Sequence, residues 1–323
     1  MTSQVSRRPH ASNALLDDVR RGLTQRQKVL PPKYFYDHRG SELFEAITRL
    51  PEYYLNRAER RLLAAHMLPV MSSLQPTTLV ELGAGSGDKT RLILRAMRAA
   101  GVARRYVPVD LSGEFLEASA ARLRAEFPWL SVEPIIADFT HDLPAPGGDG
   151  PVLFAFLGST IGNLAAADAT TLLRGVREAM EPGDRFLLGA DQRTKPIAKI
   201  ERAYNDRAGV TADFNRNMLV RLNRELGAHF EVDGFAHHAT WSWVHNRIEM
   251  RLVATREQRV FISGLGVVGF HEGESILTET CAKYDRADLE SMLGTAGMCI
   301  ERWLLDSEDQ YVLALAAPVA DAP

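Results

Sequence analysis

From Thr77 to Asp191 the sequence alternates short apolar runs with amphipathic stretches, and this alternation constrains the fold more than any other feature. The apolar runs are typical of buried strands and read TTLVELG, RRYVPVDLS, LSVEPIIADF, PVLFAFLGS and DRFLLGAD. The helical stretches between them include KTRLILRAMRAAG, GEFLEASAARLRAEF and TLLRGVREAM. Strands that alternate with helices form a parallel sheet with right-handed crossovers and helices on both faces. The sequence therefore predicts an α/β fold with a doubly wound, mainly parallel sheet.

The segments on either side of this alternation predict a second, smaller α+β domain. The first sixty or so residues contain helical stretches around the loop PPKYFYDHRG, with Ser41 as a plausible N-cap. After Asp191, helical stretches lead into strand-like runs that suit antiparallel pairing through short turns. A final helix and two strands could close the first sheet with a hairpin at its edge. We expect one domain from residues 58–192 plus 284–323, and the other from residues 1–57 plus 193–283.

Composition excludes several classes of function. Lys and Arg number 38 against 41 Asp and Glu, and the net charge of −3 offers no attraction to a phosphate backbone. The N-terminus lacks the apolar run of a signal peptide, and no stretch of about 18 apolar residues occurs. Cys281 and Cys299 are too few for a disulfide framework and lack the spacing of a metal site. We expect a cytoplasmic protein, a monomer, with no nucleic-acid substrate, membrane segment or metal.

A glycine-rich turn, VELGAGSGDKT, lies between the first predicted strand of the alternation and the next helix. Gly83, Gly85 and Gly87 let the backbone turn sharply and approach a ligand closely. The same kind of turn serves dinucleotides, and glycines also occur in purely structural turns. This motif alone therefore leaves the ligand open.

Acidic residues at the ends of the neighbouring strands narrow the choice of ligand. Asp110 ends the second predicted strand, 25 residues after Gly85, a spacing that suits a carboxylate bonded to both ribose hydroxyls of an adenosine. Asp138 ends the third predicted strand, and the adjacent Phe139 could stack on a flat base. Each acid alone would be an ordinary cap or turn residue. Together they predict an adenosine site at the carboxyl edge of the sheet.

Charge around the glycine turn indicates a cationic cofactor rather than a dinucleotide. Glu81 and Asp88 flank the turn, whereas a pyrophosphate-binding turn leaves its helix N-terminus free for anions. These acids suit a ligand that carries positive charge on a sulfonium and on an amino group. Lys89 could bind the carboxylate of the same ligand or lie in solvent. We therefore predict S-adenosylmethionine as the cofactor.

The fourth predicted strand ends in LFAFLGSTIGNL, which carries the polar residues Ser159, Thr160 and Asn163. Small-molecule and nucleobase methyltransferases place acceptor-binding groups at this point. The Asn/Asp-Pro-Pro-aromatic motif of enzymes that methylate exocyclic amines of nucleic acids is absent. Methyl transfer to an amine is an in-line displacement that mainly requires two positioned reactants and a neutral amine. These features favour a small acceptor.

The sequence also resembles a known family, the histidine Nα-methyltransferases of the ergothioneine pathway, which form histidine trimethylbetaine. The matching blocks run through almost the whole chain and are LPPKYFYDHRGSELFEAITRLPEYYLNRAE, VELGAGSGDKT, FLGSTIGN, AYND, GVTADFNRNML, RIEM and LTETCAKY. The resemblance implies a class I, Rossmann-like methyltransferase domain and a substrate domain built from the N-terminal segment and the insertion. It also implies the reaction, trimethylation of the α-amino group of L-histidine.

Residues that match the family's motifs acquire implied roles. Asn163 and Tyr204 would hold the substrate α-carboxylate, because an amide N–H and a phenol O–H both donate to a carboxylate. Tyr36 and the backbone of Gly158 would lie beside the α-amine. The aromatic residues could equally be ordinary packing between helices, although their faces also attract a quaternary ammonium.

On the side-chain end of the substrate the resemblance implies Tyr53, Met250, Glu279, Thr280 and Cys281. Glu279 would accept a hydrogen bond from the imidazole, and Met250 would form part of the wall. The family has a Ser where this chain has Cys281, which is a weak donor and a weak acceptor. The imidazole could still be held by Glu279, by the backbone around Thr280 and by water.

This departure leaves a second interpretation open, in which the acceptor is another amino acid, such as tryptophan, tyrosine or a histidine analogue. A third interpretation is a catalytically silent cofactor-binding subunit. The presence of Tyr36, Asn163, Tyr204 and Glu279 argues against the silent subunit, which has no chemical need of them.

Overall fold

A computed structural model of the chain describes residues 10–85, 87–102, 104–110, 113–138, 143, 147, 149–308 and 310–319. The chain divides into two compact units. Unit 1 comprises residues 1–53 and 197–280, and unit 2 comprises residues 54–196 and 281–323. The predicted domain boundaries at 57/58, 192/193 and 283/284 lie within four residues of these divisions.

The described helices are α1 His10–Leu23, α2 His38–Ile47, α3 Tyr54–Leu74, α4 Thr90–Ala99, α5 Gly113–Glu126, α6 Ala166–Ala179, α7 Ile197–Ala203, α8 Val210–Leu226 and α9 Arg286–Thr295. Short 3₁₀ helices occur at Pro32–Phe35, Thr160–Asn163 and Val232–Gly234. Within the described ranges, no helix is both long and apolar enough to cross a membrane.

The strands are β1 Lys28–Val29, β2 Thr78–Leu82, β3 Arg105–Asp110, β4 Ser131–Val132, β5 Ile135–Ile136, β6 Val152–Phe156, β7 Arg185–Asp191, β8 Phe235–Ser242, β9 Arg247–Ala254, β10 Gln258–Ile262, β11 Gly266–Phe270, β12 Ser275–Ala282, β13 Met298–Asp306 and β14 Tyr311–Pro318.

Unit 2 is built on one sheet with the strand order β13-β14-β7-β6-β2-β3-β4, and β5 also pairs with β3. Strands β2, β3, β4, β6 and β7 run parallel, while β14 is antiparallel to both β7 and β13. The order reverses at β2, which has β3 on one side and β6 on the other. Open parallel sheets bind ligands at the carboxyl ends of the strands beside such a reversal. The predicted doubly wound sheet and its terminal edge hairpin are confirmed.

Burial explains why these segments of unit 2 become central strands. Every residue of β2 and of β6 is buried, as expected for parallel strands that are covered on both faces. Their apolar side chains join those of β7, α6 and α9 in one core, which includes Phe154, Phe186, Leu172 and Leu289. This core fixes the strands whose carboxyl ends carry the predicted site.

Unit 1 combines α1, α2, α7 and α8 with antiparallel strands. Strand β8 pairs antiparallel with β9, and β10 pairs antiparallel with β11. The first strand pair belongs to a four-stranded sheet of order β1-β12-β9-β8, in which β1 runs parallel to β12. The predicted smaller α+β fold is confirmed, but β1, β11 and β12 were not predicted as strands.

The start of α2 also differs from the prediction. Asp37 rather than Ser41 caps the helix, since its side chain accepts a hydrogen bond from the backbone N–H of Gly40 at 2.7 Å. Asp37 Oδ1 also accepts from the side-chain amide of Asn217 on α8 at 2.8 Å. A tertiary contact therefore favours the earlier of the two capping residues.

Glu81 on β2 is a buried carboxyl group within unit 2, with 2% of its surface exposed. It accepts hydrogen bonds from Thr90 Oγ1 at 2.5 Å and from Tyr106 Oη at 2.6 Å. Burial raises the pKa of Glu81 to about 7, although these hydrogen bonds lower it. Folding therefore favours the protonated form, and the resulting stability is complete below the unfolded pKa of 4.5 and lost as pH rises through about 7.

We predict that the free energy of unfolding of the native protein, relative to a Glu81→Gln variant, falls by about 2.5 kcal/mol between about pH 5 and about pH 8.5. Glutamine keeps an acceptor for both hydroxyls but does not ionise. Urea unfolding of both proteins across this pH range measures the difference, with the exposed Glu117→Gln as control. A difference that does not change with pH would contradict the prediction.

Candidate active site

The glycine-rich turn of unit 2 begins directly after β2. Gly83 donates its N–H to the carbonyl of Val109 at 2.8 Å. Gly83 and Gly85 have φ angles of +65° and +53°, in the left-handed region that favours glycine. The N–H of Gly85 points at Asp110 Oδ2 across 3.4 Å. The structure thus brings together three residues that were predicted to bind the cofactor.

Asp138 follows β5, which lies beside β3 in the sheet. Asp110 is in register with Ile136, and the N–H of Ala137 donates to the carbonyl of Asp110 at 3.3 Å. Asp138 itself is exposed. Asp110 and Asp138 therefore end neighbouring parallel strands at one edge, as predicted, while Phe139 lies outside the described residues.

Glu81 has a different environment from the other predicted cofactor residues. Its carboxylate accepts from Thr90, the first residue of α4, and from Tyr106 on β3. These bonds tie β2 to the start of the next helix inside unit 2. The described contacts of Glu81 therefore support the glycine turn from within.

A second turn, at residues 158–163, follows β6 and carries the predicted acceptor-binding groups. Gly158 and Ser159 both have positive φ angles, +79° and +59°. Ser159 Oγ accepts from the N–H of Asp191 at 3.0 Å, and the Ser159 carbonyl accepts from the N–H of Gly162 at 3.0 Å. A Cβ at Gly162 would lie 2.5 Å from the carbonyl oxygen of Ala282, so this position requires glycine. Asn163 is half-buried at the end of the turn.

Glu59 on α3 links the two turns and was not predicted from the sequence as a site residue. Its Oε2 lies 2.6 Å from Lys89 Nζ, and its two oxygens accept from the N–H of Gly158 at 2.8 and 3.0 Å. Tyr311 Oη also donates to Oε1 at 2.8 Å. One signal was available in the sequence, because Glu59 falls on the apolar face of its helix with Leu55 and Leu62.

Cys281 lies in unit 2 against the 158–163 turn. Its sulfur is 3.8 Å from the carbonyl oxygen of Ser159 and 3.3 Å from Lys283 Nζ, and the residue is buried. Lys283 Nζ also lies 3.2 Å from Asp191 Oδ2. Burial opposes the charge on Lys283, but Cys281 and Asp191 outweigh it and raise the pKa of this lysine.

The buried acid Asp191, at the end of β7, has two further partners. Tyr54 Oη donates to Asp191 Oδ2 at 2.7 Å, and Lys195 forms an ion pair with the same carboxylate. Lys195 Nζ is also 3.2 Å from Tyr54 Oη. The backbone N–H of Asp191 donates to Ser159 Oγ. This network therefore holds Ser159, while Glu59 holds the adjacent Gly158.

Three of the predicted tyrosines meet in one aromatic cluster within unit 1. The ring centroid of Phe44 lies 5.6 Å from that of Tyr36 and 6.3 Å from that of Tyr53. Tyr53 in turn lies 6.3 Å from Tyr204. Tyr36 is 40% exposed, whereas Tyr204 is buried. The rings of this cluster pack against one another, and the cluster also contains the aromatic faces and phenol groups that the predicted substrate site requires.

A histidine and an asparagine support Tyr204 from behind. His237 Nε2 lies 2.9 Å from the Tyr204 carbonyl oxygen, which can only accept, so Nε2 carries the proton. His237 Nδ1 then accepts from Asn215 Nδ2 at 2.8 Å. Burial lowers the pKa of His237 and favours this neutral form. This supporting role of His237 was not predicted from the sequence.

The remaining predicted substrate residues lie on the sheet of unit 1. Met250 on β9 is buried, and its carbonyl accepts from Thr278 Oγ1 on β12 at 3.1 Å. Glu279 and Thr280, on the same strand β12, are half-buried. Burial of Met250 suits a wall residue, and partial exposure of Glu279 suits a carboxylate that binds a ligand.

The residues at the carboxyl edge of unit 2 fit the predicted cofactor. Asp110 and Asp138 can accept from ribose hydroxyls, and among the described residues a Cβ at Gly85 would meet only the Gly83 carbonyl oxygen, at 4.0 Å. Lys89 can bind a carboxylate while it stays paired with Glu59.

Known proteins with this fold include a methyltransferase. The chain is similar to a crystal structure of an S-adenosylmethionine-dependent methyltransferase from Clostridium acetobutylicum, with a TM-score of 0.50 and 13% identity. The similarity covers 88% of this chain and 97% of the other, and it shows the shared fold.

Two relatives are much more similar to this chain in sequence than that structure is. The chain is 45% identical to the histidine N-alpha-methyltransferase of Mycobacterium tuberculosis, over 94% of this chain and 95% of that protein. It is 42% identical to the histidine N-alpha-methyltransferase of Mycolicibacterium smegmatis, over 95% of each.

A family model described as histidine-specific methyltransferase, SAM-dependent, matches residues 15–318. This match spans both units and confirms the resemblance found in the sequence, including S-adenosylmethionine as the cofactor. The chain therefore belongs to the S-adenosylmethionine-dependent histidine-specific methyltransferases.

Proposed function

We propose that this enzyme transfers three methyl groups to the α-amino group of L-histidine and so forms histidine betaine, the first step of ergothioneine biosynthesis. The observation that carries the proposal is the match of nearly the whole chain, residues 15–318, to the histidine-specific family. We also propose that the enzyme acts as a monomer in the cytoplasm.

The chemistry asks the protein to orient a neutral amine. When bound, S-adenosylmethionine supplies an electrophilic methyl group on a sulfonium. The phenol of Tyr36 and the backbone of Gly158 are assigned to the α-amine, where they direct its lone pair without a competing charge. Each transfer leaves a positively charged nitrogen, and a proton must leave this nitrogen before it can accept a further methyl group. The trimethylated product has no N–H left, so transfer stops there.

Aromatic side chains suit the growing cation. The cluster of Tyr36, Phe44, Tyr53 and Tyr204 has its ring centroids within 6.3 Å of one another along the chain of contacts. The faces of such rings attract a quaternary ammonium. Their packing within unit 1 supplies the rigidity that this role needs.

The other assigned roles concern binding. We assign Asn163 and Tyr204 to the α-carboxylate and Glu279 to the imidazole. The bond from His237 to the Tyr204 carbonyl supports this assignment, because it fixes the backbone that carries the phenol.

A second candidate function is the same reaction on another aromatic amino acid. It is favoured by Cys281, because a thiol is a weaker hydrogen-bond partner for an imidazole than the serine hydroxyl of the family. The Cys281 sulfur lies beside Lys283 and the Ser159 carbonyl.

The direct test incubates the purified protein with S-adenosylmethionine and each of the twenty standard amino acids. We expect mass gains of one, two and three methyl groups on histidine, and smaller or no gains on the others. No gain on histidine, with gains on another amino acid, would establish the second candidate instead.

A Glu279→Ala variant tests the imidazole contact. A carboxylate bonded to an imidazole N–H contributes about 1.5 to 3 kcal/mol, so we expect the dissociation constant of histidine to rise by roughly tenfold or more. The dissociation constant of phenylalanine should not rise, and the exposed Glu272→Ala should change neither. Equal losses for both amino acids in calorimetry would remove Glu279 from the imidazole.

A Cys281→Ser variant restores the family residue. We expect the KM for histidine to fall roughly fivefold, because the hydrogen bond between residue 281 and the imidazole is about 1 kcal/mol stronger with a hydroxyl than with a thiol. Cys299→Ser, at an exposed position, serves as the control. Steady-state assays give both values, and an unchanged or higher KM in the Cys281 variant would contradict the prediction.

A further inference from the structure

The carboxylate of Glu59 lies beside the acceptor-binding turn and is almost completely enclosed. Its side chain is 1% exposed, and its described partners come from three separate elements of unit 2. These partners are Lys89 before α4, Gly158 after β6 and Tyr311 on β14. A carboxylate this deeply buried is retained only where its partners satisfy it.

The sheet has room for the Glu59 carboxylate because residue 189 on β7 is a glycine. Gly189 on β7 has no side chain, and a Cβ there would lie 2.1 Å from Glu59 Oε1 and 2.9 Å from Tyr311 Oη. The backbone of β7 therefore approaches the acid directly and limits its movement. A small displacement of the carboxylate would be passed to Gly158.

The bond from Gly158 has a consequence for the nucleophile. An N–H aimed at the α-amine would bond its lone pair and oppose attack, whereas a carbonyl would accept an amine N–H and orient that lone pair. Both oxygens of Glu59 accept a hydrogen bond from the Gly158 N–H, at 2.8 and 3.0 Å, so this N–H does not donate to the substrate. The left-handed backbone at Gly158 and Ser159 is held on this side by Glu59.

We propose that Glu59 is a positioning residue for methyl transfer: it holds the Gly158 N–H so that the Gly158 carbonyl orients the acceptor amine. It acts through Gly158 and does not touch the reacting atoms. This inference rests on the proposed function, because the α-amine is assigned to Gly158 there. The contact with Lys89 couples the same carboxylate to the cofactor side.

Glu59→Gln tests the proposal with little change in volume. Its amide nitrogen replaces one oxygen and faces the N–H of Gly158 or the ammonium of Lys89, which are both donors. We expect the single-turnover rate of methyl transfer, with both substrates saturating, to fall on the order of 100-fold, as for a misplaced reactant. Asp184→Asn, at a buried carboxylate that accepts from the N–H of Val152 at the opposite end of β6, does not contact Glu59 and should keep the native rate, even where its Tm falls equally.

Three results would overturn the proposal. They are a folded Glu59→Gln enzyme with the native single-turnover rate, one in which only the affinity for S-adenosylmethionine falls, or equal rate losses in Glu59→Gln and Asp184→Asn. The second result would mean that Glu59 acts through Lys89 alone.

If Glu59→Gln does not fold, Gly189→Ala gives the same test, because it keeps the carboxylate but displaces it. A folded Gly189→Ala enzyme at the native rate would also contradict the proposal. The unmodified protein is assayed first: failure to methylate histidine refutes the proposed function, whereas a normal rate in the variants refutes only the role of Glu59.

Discussion

Charged groups buried at the carboxyl edge of the parallel sheet must be paired, and the rest of the site depends on this constraint. Glu59 and Asp191 are fully buried and lie next to the turn that follows β6. Glu59 holds the N–H of Gly158, and the N–H of Asp191 holds the hydroxyl of Ser159. The left-handed pair of residues in the turn is thus fixed from two sides. A loop with only solvent around it would not keep this conformation.

Such networks are weak evidence for stability, since desolvation of the charges offsets much of their attraction. Lys195 and Lys283 both pair with Asp191, and Lys283 is also buried beside Cys281. Removal of one partner would leave a charge uncompensated, at a cost of about 3 to 5 kcal/mol. The network therefore makes the turn rigid and specific. Methyl transfer needs this property, because its rate depends on alignment more than on acid–base groups.

The sequence was sufficient for the features that are local or periodic. Alternating strands and helices predicted the doubly wound sheet, and the glycine turn with Asp110 predicted a set of residues that the structure brings together. Strand β12 escaped prediction because the consecutive polar residues Thr278, Glu279 and Thr280 break any alternation of apolar and polar positions, and because its parallel partner β1 is distant in sequence. Glu59 escaped because a single acid on a helix has no local motif, and its partners lie up to 252 residues away. The N-cap of α2 was misplaced because the contact that favours Asp37 comes from Asn217, which is 180 residues away in the sequence.

The most direct test of the account is a crystal structure of the protein with S-adenosylhomocysteine and histidine. The account predicts both ribose hydroxyls on Asp110, the Gly158 N–H on Glu59, and the Gly158 carbonyl within hydrogen-bonding distance of the α-amine. A histidine bound with its α-amine away from Gly158, or with the Gly158 N–H turned from Glu59 toward the amine, would contradict it.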